Sequence, residues 1–307
     1  MDGILNINKP LGPTSHDVVA QLRRTLRPRK IGHAGTLDPA AEGVLLICLG
    51  NATRTVEYLM DLHKEYRAVA KFGAETDSED ATGIVTAEYD CSSVTLEDIK
   101  AVLPQFTGHI MQIPPMVSAV HHNGKRLYEL ARAGETVERD ARPVEIYSLS
   151  LLDFKPGDKA EAVLDIECSR GTYIRTLCAD IGKTLGCGGY MAELQRTAIG
   201  RFRIEDSISA EEAIEAHTQG RLEDLIIPID DALSEMPYVE VSESDIDKVI
   251  NGVNIPESRL IPSAEKPKTG ETVRMRSAGG QLLGIGIMIS PPDEEPALKP
   301  EKVFARR

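Results

Sequence analysis

Asp38 is the residue around which chemistry can be built. It lies in Gly32-His33-Ala34-Gly35-Thr36-Leu37-Asp38-Pro39-Ala40-Ala41-Glu42-Gly43, where three glycines bracket Asp38, with Glu42 beside the last of them, and the apolar run Val44-Leu45-Leu46-Ile47 follows at once. Glycine admits backbone angles that other residues avoid and lets a ligand come close to the chain. A loop of this kind can push Asp38 into a cleft while the strand behind it anchors in the core. A carboxylate so placed can serve as a nucleophile. The same residues have a structural reading, because Asp-Pro commonly opens a helix with Asp as cap and Pro at the first helical position. Gly43 weighs against that reading, since a helix begun at Pro39 would meet a helix-weakening residue within about one turn.

Other chemistries find no support. Cys48, Cys91, Cys168, Cys178 and Cys187 form no CxxC pair and show no Cys/His zinc spacing. They read as small apolar residues in a reducing cytosol. His121 and His122 would point apart in a strand and lack an evident third ligand, so no metal is expected. Gly182-Lys183-Thr184 resembles the end of a phosphate loop, but Leu177 stands where the required glycine would be. No cofactor is expected.

The formal charge of −13 argues at face value against a nucleic-acid partner. Its distribution removes the objection, because residues 205–247 carry 14 acidic side chains against the single basic Arg221, and the remainder sums to zero. Arg23, Arg24, Arg27, Arg29 and Lys30 fall just before His33. They suit either phosphates held beside the loop or a solvated helix face.

The 307 residues suffice for two domains and an ample core. No apolar run reaches the length of a membrane span, and Met1-Asp2-Gly3-Ile4 does not open a signal peptide, so a cytoplasmic location and no membrane partner are expected. Residues 4–10 alternate like a short strand. Thr14 or Ser15 then caps a helix with Val18, Val19, Leu22 and Leu26 on one face, stopped by Pro28. Residues 51–63 suit a helix, and a strand begins at Lys64 with Tyr66, Ala68, Ala70 and Phe72 on one face. Thr95-Leu96-Glu97-Asp98 reads as a capping box. Strands are expected at 146–154 and 161–168, then a helix ending near Gly186. Ser209 caps another helix, Pro237 marks a boundary, and residues 242–250, 273–275 and 281–289 read as helix, strand and strand. Pro291, Pro292 and Pro296 punctuate a tail.

Three motifs in order, Lys9-Pro10-Leu11-Gly12-Pro13-Thr14-Ser15, the Asp38 loop and Gly171-Thr172-Tyr173-Ile174-Arg175, resemble those of the tRNA pseudouridine-55 synthases, the TruB family. The matches run over residues 9–196, and the last third is only loosely similar. The resemblance implies an enzyme that cleaves the bond from ribose to uracil N1, turns the base and rejoins it through C5, with no cofactor. It makes Asp38 the nucleophile and places Arg175 where it holds that carboxylate oriented and charged. Tyr66, in a Lys-x-Tyr pattern, would stack on a flipped uracil; a half-buried packing role is its alternative. Tyr173 and Leu194 would wall the pocket, Leu194 serving the core as well. His33 would fill or prop the space the base leaves; a polar residue in a glycine-rich turn is its alternative. Lys9 joins the substrate-binding set in a supporting role.

The implied fold is α+β: a mixed, largely antiparallel sheet with flanking helices over residues 1–236. A thumb-like insertion is expected at about 119–143, and a small β-rich PUA-like RNA-binding domain over 237–307. The implied partner is the T-arm stem-loop of tRNA, bound by a monomer. Two rivals remain: a non-catalytic RNA-binding or RNA-folding protein, and a guide-RNA-dependent synthase, which shares the Asp38 loop.

Overall fold

The computed structural model describes every residue except 119, 123, 263–265, 293–294 and 306–307, together with the side chains of 122 and 132 left aside. A nine-stranded sheet carries the first two thirds of the chain. Strand β1 (Gly3–Lys9) pairs antiparallel with β3 (Ala41–Leu49), and the helix α1 (Ser15–Leu26) and the strand β2 (Ile31–Ala34) lie between them in sequence. The sheet continues through Gly189–Ile199, β4 (Lys64–Phe72), Glu161–Cys168, Arg142–Lys155 and Gly108–Gln112. The fold is the expected α+β arrangement. Within this sheet the one parallel strand pairing joins β3 to Gly189–Ile199, with Leu194 opposite Ala41 and Arg196 opposite Gly43.

The β3 strand is buried on both faces because it separates two cores. Val44, Leu46 and Cys48 pack towards Phe202, Ile229 and Ile285, while Leu45, Ile47 and Leu49 pack towards Val18, Leu22 and Leu26 of α1. A period of two distributes alternate side chains to opposite faces, so an apolar run fills both cores. This is also why β1 is buried almost throughout rather than alternating. The Asp-Pro helix start does not form. Pro39 and Ala40 make a turn closed by the Ala41 amide on the Asp38 carbonyl (3.0 Å), and β3 begins there.

Thr14 is the N-cap of α1, in a capping box with Asp17, and Thr95 and Ser209 cap Leu96–Val102 and Ala210–Thr218 in the same way. The helix expected at 51–63 is in fact a 3-10 segment, Gly50–Thr55, followed by Val56–Asp61. Helix Ile174–Thr184 packs Ile174, Leu177, Cys178 and Ile181 against Ala68, Ala70 and Phe72 of β4.

A second, six-stranded sheet begins at Tyr238. The proline-punctuated tail is not a tail: Ala297–Val303 is a strand paired with Leu282–Ile289 on one side and Ile255–Pro256 on the other. Pro300 stands opposite Gly286, next to a register shift in that ladder, the kind of irregular position where a strand tolerates proline. The buried Arg274 binds this sheet to the preceding segment through the Asp230 carboxylate (2.9 Å) and the carbonyls of Ser234 (3.1 Å) and Met236 (2.9 Å). No helix of the described residues is long and apolar enough to cross a membrane.

Candidate active site

The Asp38 loop is braced from below by the first motif. The buried Ser15 hydroxyl donates to the Leu37 carbonyl (3.0 Å) and accepts from the Leu37 amide (2.9 Å), and the Gly12 amide reaches the Pro39 carbonyl (2.9 Å). Lys9 is fully buried, and its ammonium donates to the carbonyls of Pro10 (2.9 Å) and Pro13 (3.0 Å). Burial pulls its pKa down, against the opposing pull of Asp38. Lys9 therefore stands under the loop and does not line the cleft.

A second brace comes from Arg196, which is 1% exposed. Its guanidinium donates to the carbonyls of Val44 (2.7 Å), Gly35 (3.1 Å) and Thr36 (3.4 Å), tying the loop to the strand that runs parallel to β3. The close approach of these strands needs a glycine: a Cβ on Gly43, whose φ is +106°, would lie 2.2 Å from the Arg196 carbonyl oxygen. Gly43→Ala is thus expected to cost about 1–3 kcal/mol from overpacking, with backbone strain added. A lowered urea midpoint would register this, and an unchanged midpoint would count against the tight pairing.

Asp38 opens onto a cleft of about 320 Å³ lined by Tyr66, Tyr173, Arg175 and Leu194 among others. Its side chain is 45% exposed, and one carboxylate oxygen is 3.1 Å from Nη2 of the buried Arg175. Arg175 comes from the first turn of Ile174–Thr184, whose start is pinned by the buried Gln112. That side chain accepts from the Tyr173 amide (2.8 Å) and donates to the Tyr173 carbonyl (3.0 Å). The guanidinium also donates to the carbonyls of Ser78 (3.1 Å) and Val117 (2.8 Å), and its Nη1 lies 3.5 Å from the buried carboxylate of Asp80. Asp80 in turn accepts from the hydroxyls of Ser78 (2.7 Å) and Thr82 (2.6 Å). Next to it Glu79 holds φ +63°, and its carboxylate accepts from Thr176 (2.5 Å). Burial pushes the Glu79 carboxyl above the ordinary range.

Tyr66 lines the cleft together with Leu194. Burial pushes its phenol up, against the Arg196 guanidinium beside it. The structure thus brings Asp38, Arg175, Tyr66, Tyr173 and Leu194 to one cleft. His33 is not among the lining residues: it lies on β2, its ring edge-on to His16 at 5.3 Å, with a buried Nδ1 that has no partner. Burial lowers its pKa, with the charges of His16 and Arg196 adding to the effect.

Lys64 also lines the cleft, donating to the carbonyls of Met60 and Leu62. Burial pulls it from 10.5 to about 8. Below pH 8 the folded and unfolded lysines both hold the proton; between about 8 and 10.5 only the unfolded one does, so stability rises with pH across that window. Relative to Lys64→Met, the wild type is expected to gain in urea midpoint on going from pH 8 to 10.5. A difference that stays flat with pH would rule this out.

Sequence reasoning assigned no role to Asp80, Gln112 or Arg196, and gave Ser15 only a place in the first motif and as an alternative helix cap, which the structure assigns to Thr14. Asp80 sits in a polar run indistinguishable from a solvated turn. Arg196 had one available signal, a lone cation in a strand beside apolar Leu194.

Residues 23–174 match the N-terminal domain of the TruB family of pseudouridylate synthases, and residues 175–234 match the tRNA pseudouridylate synthase B C-terminal domain. The fold is thus that of a pseudouridylate synthase. The chain is 42% identical over its full length to the tRNA pseudouridine synthase B of Dehalococcoides mccartyi, covering 98% of it, and 45% identical to that of Moorella thermoacetica over 98% of this chain and 99% of the relative. With that of Symbiobacterium thermophilum the identity is 48% over 82% of this chain and 83% of the relative. Among solved structures, a chain of an H/ACA RNP bound to a substrate RNA containing 2'-deoxyuridine superposes with TM-score 0.77 at 26% identity, over 99% of this chain and 86% of that one. A chain of a Cbf5-Nop10-Gar1 complex superposes with TM-score 0.76 at 28% identity, over 99% and 85%. The chain belongs to the TruB family of pseudouridylate synthases.

Proposed function

We propose that this protein isomerises uridine to pseudouridine at position 55 in the T-arm loop of tRNA, without a guide RNA, using Asp38 as nucleophile. The observation that carries the reading is the 3.1 Å contact between Asp38 and buried Arg175 at a cleft lined by Tyr66 and Leu194. The target base leaves its stack at a cost of a few kcal/mol. Stacking on Tyr66 returns about 1–3 kcal/mol, with Leu194 and Tyr173 closing the walls. The entering base also covers the exposed side of Asp38, so the carboxylate meets its target with little competing water. An Asp38 oxygen attacks the nucleotide, the bond from C1′ to N1 breaks, the base turns, and C1′ is joined to C5. The C5 hydrogen leaves as a proton, N1 gains one, and Asp38 is released unchanged.

Arg175 keeps the attacking oxygen aimed; Lys9, Ser15 and Arg196 hold the loop that carries it. His33 supports the loop from outside the cleft, where the emptied stack can meet it. Residues 1–236 form the catalytic part, with 119–143 as the thumb that closes on RNA, and 237–307 a PUA-like RNA-binding part. Residues 119 and 123 of the thumb lie outside the described residues. The described residues that line the cleft come from separate stretches of one chain, in keeping with a monomer, and the expected place of action is the cytoplasm. The relatives at 42–48% identity are named for tRNA, which favours the unguided reading over the guided assemblies at 26–28%. Incubation with an unmodified tRNA transcript and no guide RNA is expected to give pseudouridine at position 55. Product that forms only when guide RNA is added would overturn it.

A further inference from the structure

We propose that Arg170 is the phosphate-binding residue of this cleft, and that Asp61 holds its guanidinium until the RNA backbone displaces it. The proposal rests on the functional reading above. Among the described residues four cations line the cleft: Lys64, Arg170, Arg175 and Arg196. Three of them are buried and committed to protein acceptors. Arg170 differs, for its side chain is 70% exposed and its partner is the 55% exposed carboxylate of Asp61.

The pair spans the rim of the cleft. Arg170 sits in the loop between Glu161–Cys168 and Ile174–Thr184, directly before the lining residues Gly171, Thr172 and Tyr173. Asp61 ends the helix Val56–Asp61, one residue after Met60, which also lines the cleft. A nucleotide whose base rests between Tyr66 and Leu194, with its ribose at Asp38, has its phosphates further out, at this rim. An arginine fork matches phosphate geometry and binds it through two parallel bonds. The exposed Arg170–Asp61 pair is a weak contact that a phosphate can replace. Until then Asp61 holds the fork at the rim instead of leaving it free in solvent. Once displaced, its carboxylate faces the backbone, so an anion gains full benefit only if it also delivers a base to the cleft.

Steady-state kinetics and salt titration of the full chain with an unmodified tRNA transcript test this. Arg170→Gln is expected to raise KM about ten- to a hundredfold while kcat stays within about threefold, because the lost bonds are charge-assisted and not made in the chemical step. The slope of log affinity against log salt should fall by about 0.7, one single-strand phosphate contact. Arg170→Lys, which keeps charge without the fork, should recover part of the loss. Asp61→Asn should lower KM about two- to fivefold, and should do nothing when Arg170 is already Gln. If Arg170→Gln lowers the thermal midpoint but leaves KM and the salt slope unchanged, the pair is only a loop staple and the proposal fails. It fails equally if Asp61→Asn raises KM. Failure of the wild type to convert the transcript would instead sink the functional reading, whatever the variants do.

Discussion

Asp38→Asn is expected to stop isomerisation, by about ten-thousandfold or more, while tRNA binding stays within about threefold. Asparagine has the same shape, and its carbonyl oxygen can still accept from Arg175, so the loop and its braces are kept. The neutral amide cannot form and then release a bond to the nucleotide. The Asp38 side chain is 45% exposed, so exchanging it creates no cavity and leaves no buried group stranded. Release of a C5 label from the transcript reads the chemistry, because C5 must lose its hydrogen when it bonds to C1′; filter binding reads the affinity. A non-catalytic RNA-folding protein predicts no change in either measurement. Activity of the Asn variant within tenfold of wild type would end the nucleophile assignment.

Arg175→Met should reduce turnover at least a hundredfold, with a much smaller change in RNA affinity, and should also lower stability. One buried guanidinium joins Asp38, Asp80 and the carbonyls of Ser78 and Val117. Methionine fills much of the volume but leaves the buried Asp80 carboxylate without its cation. Removing one partner of a buried pair costs about 3–5 kcal/mol. The half-exposed Asp38 contact contributes less, since water screens it. Arg175→Lys should not rescue turnover, because a point charge on a flexible stem cannot bridge two carboxylates while satisfying two carbonyls. Calorimetry and single-turnover kinetics separate the two effects. Equal losses in turnover and RNA affinity would show that Arg175 serves binding rather than the aim of Asp38.

Much of the local structure was legible because local rules decide it. Thr95 and Ser209 each precede an acidic residue by three places, and each caps its helix through that pairing. Strand Glu161–Cys168 alternates in residue type apart from Val163 and appears with the expected bounds. Where alternation misleads, both faces are covered: β1 looks half-buried in sequence and lies between two cores. The prolines at 291, 292 and 296 read as a tail because proline weakens strand propensity, yet Ala297–Val303 joins a sheet whose other strands supply its partners.

By itself, the sequence marked Asp38, in a glycine-rich loop, as a candidate nucleophile, and the resemblance of short motifs to the TruB family added Tyr66 of a Lys-x-Tyr strand and Arg175 where the chain runs into a helix. These signals are local, set by which backbone angles and side-chain chemistries a short stretch can supply. Only the tertiary structure decided what supports them. Arg196, Ser15 and Gln112 act through bonds to backbone carbonyls and amides far away in sequence, and Asp80 becomes a buried counter-charge only because its turn folds against the arginine helix. Burial and distance arise when strands pair, and no spacing along the chain encodes them.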